Sequence, residues 1–283
     1  MSHQPINRRQ LCKTLLACGT ATLAGASAYG QQPPPGAAEE LDQRLLDAAR
    51  RGATMEEIAK LRDPIATTPQ EALRALKTGN SRFFSGQARR PEMSAAERRA
   101  QILGQTPFAV ILSCADSRVP TEIVFDQSLG SLFITRVAGN VVDSGTLGSI
   151  EYGIEHLKTH LLVVMGHEGC GAIKAALLPA ADRAKETPSI QALLNQIVPS
   201  VANIPKMRDE KAKMREAVIA NVRQQVQNVK KSASVQRGIE RKSLAVIGAF
   251  YEITSGAVDF FETEEELRVA QTSDSDRWRA HLG

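Results

Sequence analysis

Short apolar runs alternate with longer amphipathic segments through the middle of the chain. The runs lie at residues 108–112, 132–137, 161–165 and 244–247. Between them, apolar residues recur at the spacing of helices that bury one face. Strands that alternate with helices build parallel sheets, with helices covering both faces. The pattern therefore predicts an α/β fold with a central, mostly parallel β-sheet flanked by helices.

An N-terminal helical arm is predicted ahead of this sheet, over residues 39–90. Apolar residues recur at helical spacing from Leu41 to Leu61. A second helix is expected to begin at Thr68, followed by Pro69 and Glu71. Thr and Glu at this spacing cap each other's backbone amides, and proline suits the first helical turn.

The first 30 residues are typical of an export signal. The segment Asn-Arg-Arg-Gln-Leu-Cys-Lys at positions 7–13 precedes an uncharged stretch that reaches Ala28, which resembles a twin-arginine signal. A basic amphipathic helix is the alternative, but the glycines and threonines of this stretch disfavour it. Small residues predict cleavage near Ala28 or Gly30, and the stretch is too short to span a bilayer. We expect an exported protein, periplasmic or extracellular, without a stable membrane anchor.

Composition sets two further boundaries and excludes one class of partner. Residues 31–38 contain three consecutive prolines and predict a stiff linker, whereas residues 263–283 form a charged tail.

The formal charge is +4, but Arg8, Arg9 and Lys13 lie in the predicted signal. Without them the charges almost balance, and only 4% of residues are aromatic. We therefore expect no nucleic-acid partner, because nucleic-acid binding needs basic surface and stacking rings.

Two cysteines and a histidine follow predicted buried strands, and these positions suggest a metal site. Cys114 follows the first apolar run, and His167 and Cys170 follow the third. Ligands bind at the carboxyl ends of parallel strands, and two thiolates with one imidazole suit zinc. Three protein ligands leave a position for water, as in catalytic zinc sites. A disulfide between Cys114 and Cys170 is the alternative in an oxidising compartment.

Asp116 and Arg118 follow Cys114 at alternate positions. This spacing places the three side chains on one side if the chain stays extended there. A carboxylate at Asp116 could also occupy the fourth metal position and close the site.

Two motifs together resemble those of the β-class carbonic anhydrases. They are Ser-Cys-Ala-Asp-Ser-Arg-Val-Pro at 113–120 and Gly-His-Glu-Gly-Cys-Gly at 166–171. The resemblance implies a zinc-binding catalytic domain over residues 91–262, with one Zn²⁺ per chain held by Cys114, His167 and Cys170. It also implies the reversible hydration of carbon dioxide to bicarbonate and a proton, by hydroxide formed at the zinc.

The resemblance pairs Asp116 with Arg118. A bidentate arginine would hold the carboxylate off the metal and orient it toward the water on the zinc. Asp116 is then expected to be a metal ligand only in a minor or low-pH state.

Further positions are implied on the substrate side. Gln105 would donate its amide to bicarbonate, and Gly171 would offer its backbone amide. Phe133 and Tyr152 fall where family members line an apolar channel, with ordinary core packing as the alternative. Ile111 stands where some members carry the tryptophan of a noncatalytic bicarbonate pocket, so the resemblance favours the constitutively open, type I-like subtype.

Family members assemble through N-terminal helices, so a homodimer or homotetramer is expected. Two other functions remain open. One is hydrolysis of carbon disulfide or carbonyl sulfide, which are linear like carbon dioxide, on the same scaffold. The other is a non-catalytic zinc-binding or bicarbonate-binding protein, which is disfavoured because a structural zinc normally has four protein ligands.

Overall fold

The computed structural model of the protein describes Asp47, residues 50–52, residues 66–89 and residues 104–261. The elements are α1 (Pro69–Phe84), β1 (Ala109–Ser113), α2 (Thr121–Val124), β2 (Leu132–Arg136), α3 (Ser144–Glu155), β3 (Leu161–His167), α4 (Gly171–Ala176), α5 (Ala180–Arg183), α6 (Pro188–Val201), α7 (Glu210–Val229), α8 (Ala233–Glu240), β4 (Ala245–Tyr251) and β5 (Val258–Phe261). A short 3₁₀ turn, Ala138–Asn140, lies between β2 and α3.

Within these residues the strands form one five-stranded sheet in the order β2-β1-β3-β4-β5. Pairing is parallel from β2 to β4, and only β5 runs antiparallel to its neighbour β4. Parallel neighbours need long crossovers, which the helices between the strands supply. The predicted mostly parallel sheet flanked by helices is confirmed, and β1 and β3 lie side by side near its centre.

The central strands bury both faces of the sheet. Every residue of β1 and of β3 is buried, which explains their continuous apolar runs. Leu112 and Val164 belong to a core that also contains residues of α3, α6, α7 and α8. Ile111 and Val163 belong to a second core, which includes Leu76 of α1. The sheet thus lies between two apolar layers and holds its strand ends in fixed positions.

The helix α1 begins as its sequence predicts. The Thr68 side chain accepts a hydrogen bond from the Glu71 amide at 3.2 Å, and the Glu71 carboxylate accepts one from the Thr68 amide at 3.1 Å. Further along α1, the buried Asn80 donates to the carbonyl oxygens of Val124 and Gly256 at 3.1 and 2.9 Å. These bonds fasten α1, the described helix of the arm, to the end of α2 and to the loop between β4 and β5.

Several sequence predictions lie outside the described residues. They are the export signal over residues 1–30 with its cleavage near Ala28 or Gly30, the linker over 31–38 and the charged tail over 263–283. Most of the predicted helix from Leu41 to Leu61, and residues 91–103 at the start of the predicted catalytic domain, also lie outside them. In the part of the chain that the structure describes, no helix is long and apolar enough to cross a membrane.

Candidate metal centre

Two neighbouring strands and one helix bring three potential ligands together. Parallel register places Ser113 at the end of β1 beside Met165 of β3, so Cys114 leaves β1 next to the end of β3. His167 is the last residue of β3, and Cys170 is the residue that precedes α4. All three ligand side chains are buried, at the carboxyl edge of the sheet.

The geometry of this group fits a zinc ion. The two sulfurs and a ring nitrogen of His167 lie within 4.8 Å of one another. The Sγ atoms of Cys114 and Cys170 are 4.0 Å apart. Two sulfurs on one tetrahedral zinc lie about 3.8 Å apart, given bonds of about 2.3 Å. Both cysteines are free, and their separation is about twice a disulfide bond, so the structure does not contain the alternative disulfide.

The histidine offers one specific atom to a metal. Its Nδ1 lies 3.0 Å from the carbonyl oxygen of Glu168 and donates its hydrogen there. This bond leaves Nε2 as the nitrogen with a free lone pair. The Nε2 of His167 is buried and has no hydrogen-bond partner among the described residues. A buried polar atom of this kind is rare in folded proteins, and a metal ligand bond would satisfy it.

The two thiols share a proton unequally. Hydrogen bonding from Cys170, helped by the amides of Asp116 and Gly139, lowers the pKa of Cys114 to about 4. The pKa of Cys170 is raised, because its thiol donates to Cys114 and because it is buried. The close contact of the two sulfurs therefore favours loss of one proton from the pair over loss of both. A divalent cation would displace the remaining proton, as metals do when they bind cysteine.

A carboxylate stands beside the three ligands. The Asp116 Oδ2 lies 3.9 Å from the Nε2 of His167. Arg118 holds both carboxylate oxygens, with Nε 2.9 Å from Oδ1 and Nη2 2.7 Å from Oδ2. This pairing holds the pKa of Asp116 well below its usual value of 3.8. Asp116 is therefore ionised at neutral pH, and its oxygens are engaged by the guanidinium.

The Asp116–Arg118 pair is present, but the expected extended chain is not. Ser117 and Arg118 form a turn, closed by a 3.0 Å hydrogen bond from the Val119 amide to the Asp116 carbonyl. The Arg118 amide also donates to Asp116 Oδ1 at 2.9 Å. The pair that the resemblance implied therefore forms through a turn, which folds the guanidinium back onto the carboxylate, and the extended chain assumed from alternation is wrong.

Arg136 supports the ligand loop and was not identified from the sequence. It ends β2, and its Nε donates to the Cys114 carbonyl at 2.9 Å while Nη2 donates to the Asp116 carbonyl. These bonds fasten the segment from Cys114 to Asp116 to the neighbouring strand. The sequence signal for this role was an arginine at the end of the predicted strand 132–137, at the same edge of the sheet as Cys114.

Gly171 lies at the centre, directly after Cys170 and at the start of α4. It is exposed, and no atom of the described residues lies within 4 Å of where a Cβ would stand. Its backbone is therefore accessible within the described part of the chain, and its role toward substrate stays a prediction.

Three other predicted residues lie away from this centre within the chain. Phe133 pairs with Val110, four residues before Cys114, which at about 3.3 Å per residue is about 13 Å along the strand. The Tyr152 ring lies 6.0 Å from the Phe133 ring and is largely exposed. Gln105 is exposed and precedes β1, at the opposite end from Cys114. The structure groups these residues near the amino ends of β1 and β2.

Comparison with known proteins agrees on one family. The carbonic anhydrase family profile matches residues 109–258. The chain is 39% identical over 191 residues to carbonic anhydrase 2 of Mycobacterium tuberculosis, covering 67% of this chain and 91% of that protein. It is 36% identical over 200 residues to the carbonic anhydrase of Mycolicibacterium smegmatis, covering 68% and 93%. A Coccomyxa β-carbonic anhydrase solved with acetazolamide has a TM-score of 0.50 at 26% identity, covering 76% and 84%.

Proposed function

Because the chain belongs to the β-class carbonic anhydrase family and is an enzyme that hydrates carbon dioxide reversibly, we propose that the reaction takes place at one zinc ion held by Cys114, His167 and Cys170. The observation that carries the proposal is the buried Nε2 of His167, which lacks a hydrogen-bond partner among the described residues, beside two buried sulfurs. Bound there, zinc would lower the pKa of a water molecule and supply hydroxide near neutral pH.

Asp116 is proposed to orient the attacking water. Its pKa lies well below the usual range because Arg118 donates to it, so it stays ionised and can only accept hydrogen bonds. A carboxylate that accepts a hydrogen bond from the water would fix the direction of the oxygen lone pair toward carbon dioxide. Arg118 would keep Asp116 in that role and off the metal, which favours the open subtype.

The substrate-side residues lead us to propose a homodimer or homotetramer. Phe133 and Tyr152 lie about 13 Å or more from their own Cys114 along the strand direction, yet the family resemblance places such residues at a substrate channel. The distance and the channel role are compatible if Phe133, Tyr152 and Gln105 of one copy reach the metal centre of a second copy. Tyr152 is 47% exposed and β2 is an edge strand among the described residues, so both are accessible to a partner.

Mixed assemblies test this sharing directly. Cys114→Ser removes a metal ligand, and Tyr152→Ala removes a channel side chain from the partner's centre. After joint refolding of the two variants, a mixed dimer has one intact centre, so hydration should exceed that of either variant alone. Hydration that never exceeds the simple average of the two variants would contradict shared centres.

The first experiment on the function is stopped-flow carbon dioxide hydration by the chain from Gln31 onward, with zinc quantified in the same sample. One zinc per chain and rapid, zinc-dependent hydration are expected. The comparisons favour neither alternative function, and parallel assays with carbonyl sulfide and carbon disulfide provide the control. Stoichiometric zinc without carbon dioxide hydration would contradict the proposal and point to another substrate or to a binding role.

We also propose that the protein is exported to the periplasm or beyond. The proposal rests on the twin arginines and the uncharged stretch that follows them. A folded, zinc-loaded enzyme would suit that route, since the metal would protect Cys114 and Cys170 from oxidation. Cell fractionation of the wild type and of the Arg8→Lys/Arg9→Lys variant tests it, and equal cytosolic retention of both would contradict export.

A further inference from the structure

The helix α7 is rich in polar residues but buries two side-chain amides. Asn221 and Gln225 lie four residues apart on α7 and are both 0% exposed. Neighbouring valines of the same helix, such as Val218 and Val222, belong to the core above the sheet. Amides in an apolar interior are unfavourable unless all their polar atoms are hydrogen-bonded. Their partners therefore indicate why they are there.

Every polar atom of the two amides has a partner. Gln225 Nε2 donates to Asn221 Oδ1 at 3.2 Å. Asn221 Nδ2 donates to the Gly139 carbonyl at 2.9 Å. Gln225 Oε1 accepts from the Val142 amide at 3.0 Å. The pair thus holds the backbone around the 3₁₀ turn at two points.

The held turn contacts a metal ligand on its other side. The Gly139 amide lies 3.4 Å from the Cys114 Sγ and donates to it. Ile197 of α6 and Ala172 of α4 pack closely against this turn, since a Cβ on Gly139 would stand 2.6 Å from Ile197 Cδ1 and 3.2 Å from Ala172 Cβ. A continuous chain of contacts therefore runs from α7 through one glycine to the sulfur.

We propose that Asn221, supported by Gln225, is a positioning residue that keeps the Gly139 amide on the Cys114 sulfur and so sets how strongly this thiolate donates charge to the metal. A hydrogen bond to a thiolate draws electron density from the sulfur and leaves a bound metal more electrophilic. The role rests on the proposed metal centre, yet it concerns residues that contact neither metal nor substrate.

Cobalt substitution provides a readout that is independent of activity. We compare wild type, Asn221→Leu and Gln224→Leu as the cobalt-loaded full chain. Gln224 is a half-buried amide of the same helix that donates to Asn228 at 3.2 Å and not to Asn221, Gln225 or the turn, so it is a matched control. In Asn221→Leu the thiolate-to-cobalt charge-transfer band should move to lower energy. Zinc retention against a chelator should fall about tenfold, as for other residues that support metal ligands.

A milder variant covers the case in which Asn221→Leu does not fold. Gln225→Met removes the bond to the Val142 amide but leaves Asn221 in place, so a smaller band shift in the same direction is expected. Band positions and zinc retention equal to those of Gln224→Leu in the folded variants would overturn the role of Asn221. Absence of any thiolate-to-cobalt band in the wild type would instead overturn the proposed metal centre.

Discussion

The substitution Gly139→Ala should combine two separable costs at the metal centre. Gly139 has φ +68, a left-handed conformation that costs other residues about 1–2 kcal/mol. The new Cβ would also stand 2.6 Å from Ile197 Cδ1, and overpacking of this kind costs about 1–3 kcal/mol. The free energy of unfolding should therefore fall by about 2–5 kcal/mol.

Other glycines of the chain isolate each cost. Gly86 has φ +74, and no atom of the described residues lies within 4 Å of a Cβ there, so Gly86→Ala should show the backbone cost alone, about 1–2 kcal/mol. Gly148 lies in α3 with open space around it and no left-handed backbone, so Gly148→Ala should stabilise by up to about 1 kcal/mol. Ile197→Val deletes the clashing Cδ1 and alone should cost about 0.5–1.5 kcal/mol.

Urea unfolding at one protein concentration, with zinc in excess, measures these changes. In the double variant Gly139→Ala/Ile197→Val, the overpacking should disappear, so the two effects should fall short of their sum by about 1 kcal/mol or more. Two outcomes would refute the reasoning. One is a loss for Gly139→Ala no larger than for Gly86→Ala, and the other is strict additivity with Ile197→Val.

Four further predictions concern a metal ligand, the Asp116–Arg118 pair and the N-terminal cap of α1. Cys170→Ser should lose most bound zinc, measured by metal analysis, because a hydroxyl is a poor zinc ligand. Arg118→Ala should leave the zinc content unchanged but slow carbon dioxide hydration at neutral pH in stopped flow, because the Asp116 carboxylate is no longer held off the metal by the guanidinium. Thr68→Ala should lower the free energy of unfolding by about 0.5–2 kcal/mol in urea, because α1 loses its cap. The Thr67 amide donates to the Glu71 carboxylate and lowers its pKa. The stabilisation from the ionised Glu71 carboxylate is therefore present above about pH 4.5 and is lost as the pH falls further. In Glu71→Gln the free energy of unfolding, measured in urea at several pH values, should fall less on acidification than in the wild type.

The sheet was predictable because its central strands are buried on both faces. Such strands must be continuously apolar, and β1 and β3 stand out in the sequence for that reason. Their ends were less predictable. The apolar run stops at Met165, but pairing with β4 continues through Gly166 and His167, opposite Phe250 and Tyr251. Backbone hydrogen bonds extend a strand regardless of side-chain polarity, so the pattern gave β3 two residues too few.

The ligands were predictable from position, whereas the substrate side was not. Cys114 and His167 end neighbouring parallel strands, and the carboxyl ends of such strands are where sites form. Phe133 and Gln105 were assigned by family resemblance, which carries no information on which copy of the chain holds each residue. Phe133 lies about 13 Å along the strand from its own Cys114, and this separation is the basis of the proposed sharing between copies.

A helix as polar as α7 is expected to expose most of its surface, so its buried amides do not stand out in the sequence. Its charged residues, such as Arg223, are indeed exposed. Asn221 and Gln225 differ from them in being neutral, so their burial requires hydrogen bonds but no counter-charge. They alternate with Val218, Val222 and Val226 on the buried side of the helix. Amides four residues apart within an apolar stripe are therefore the sequence signal, and it indicates a backbone segment that needs to be held. Here that segment is the turn on the Cys114 sulfur.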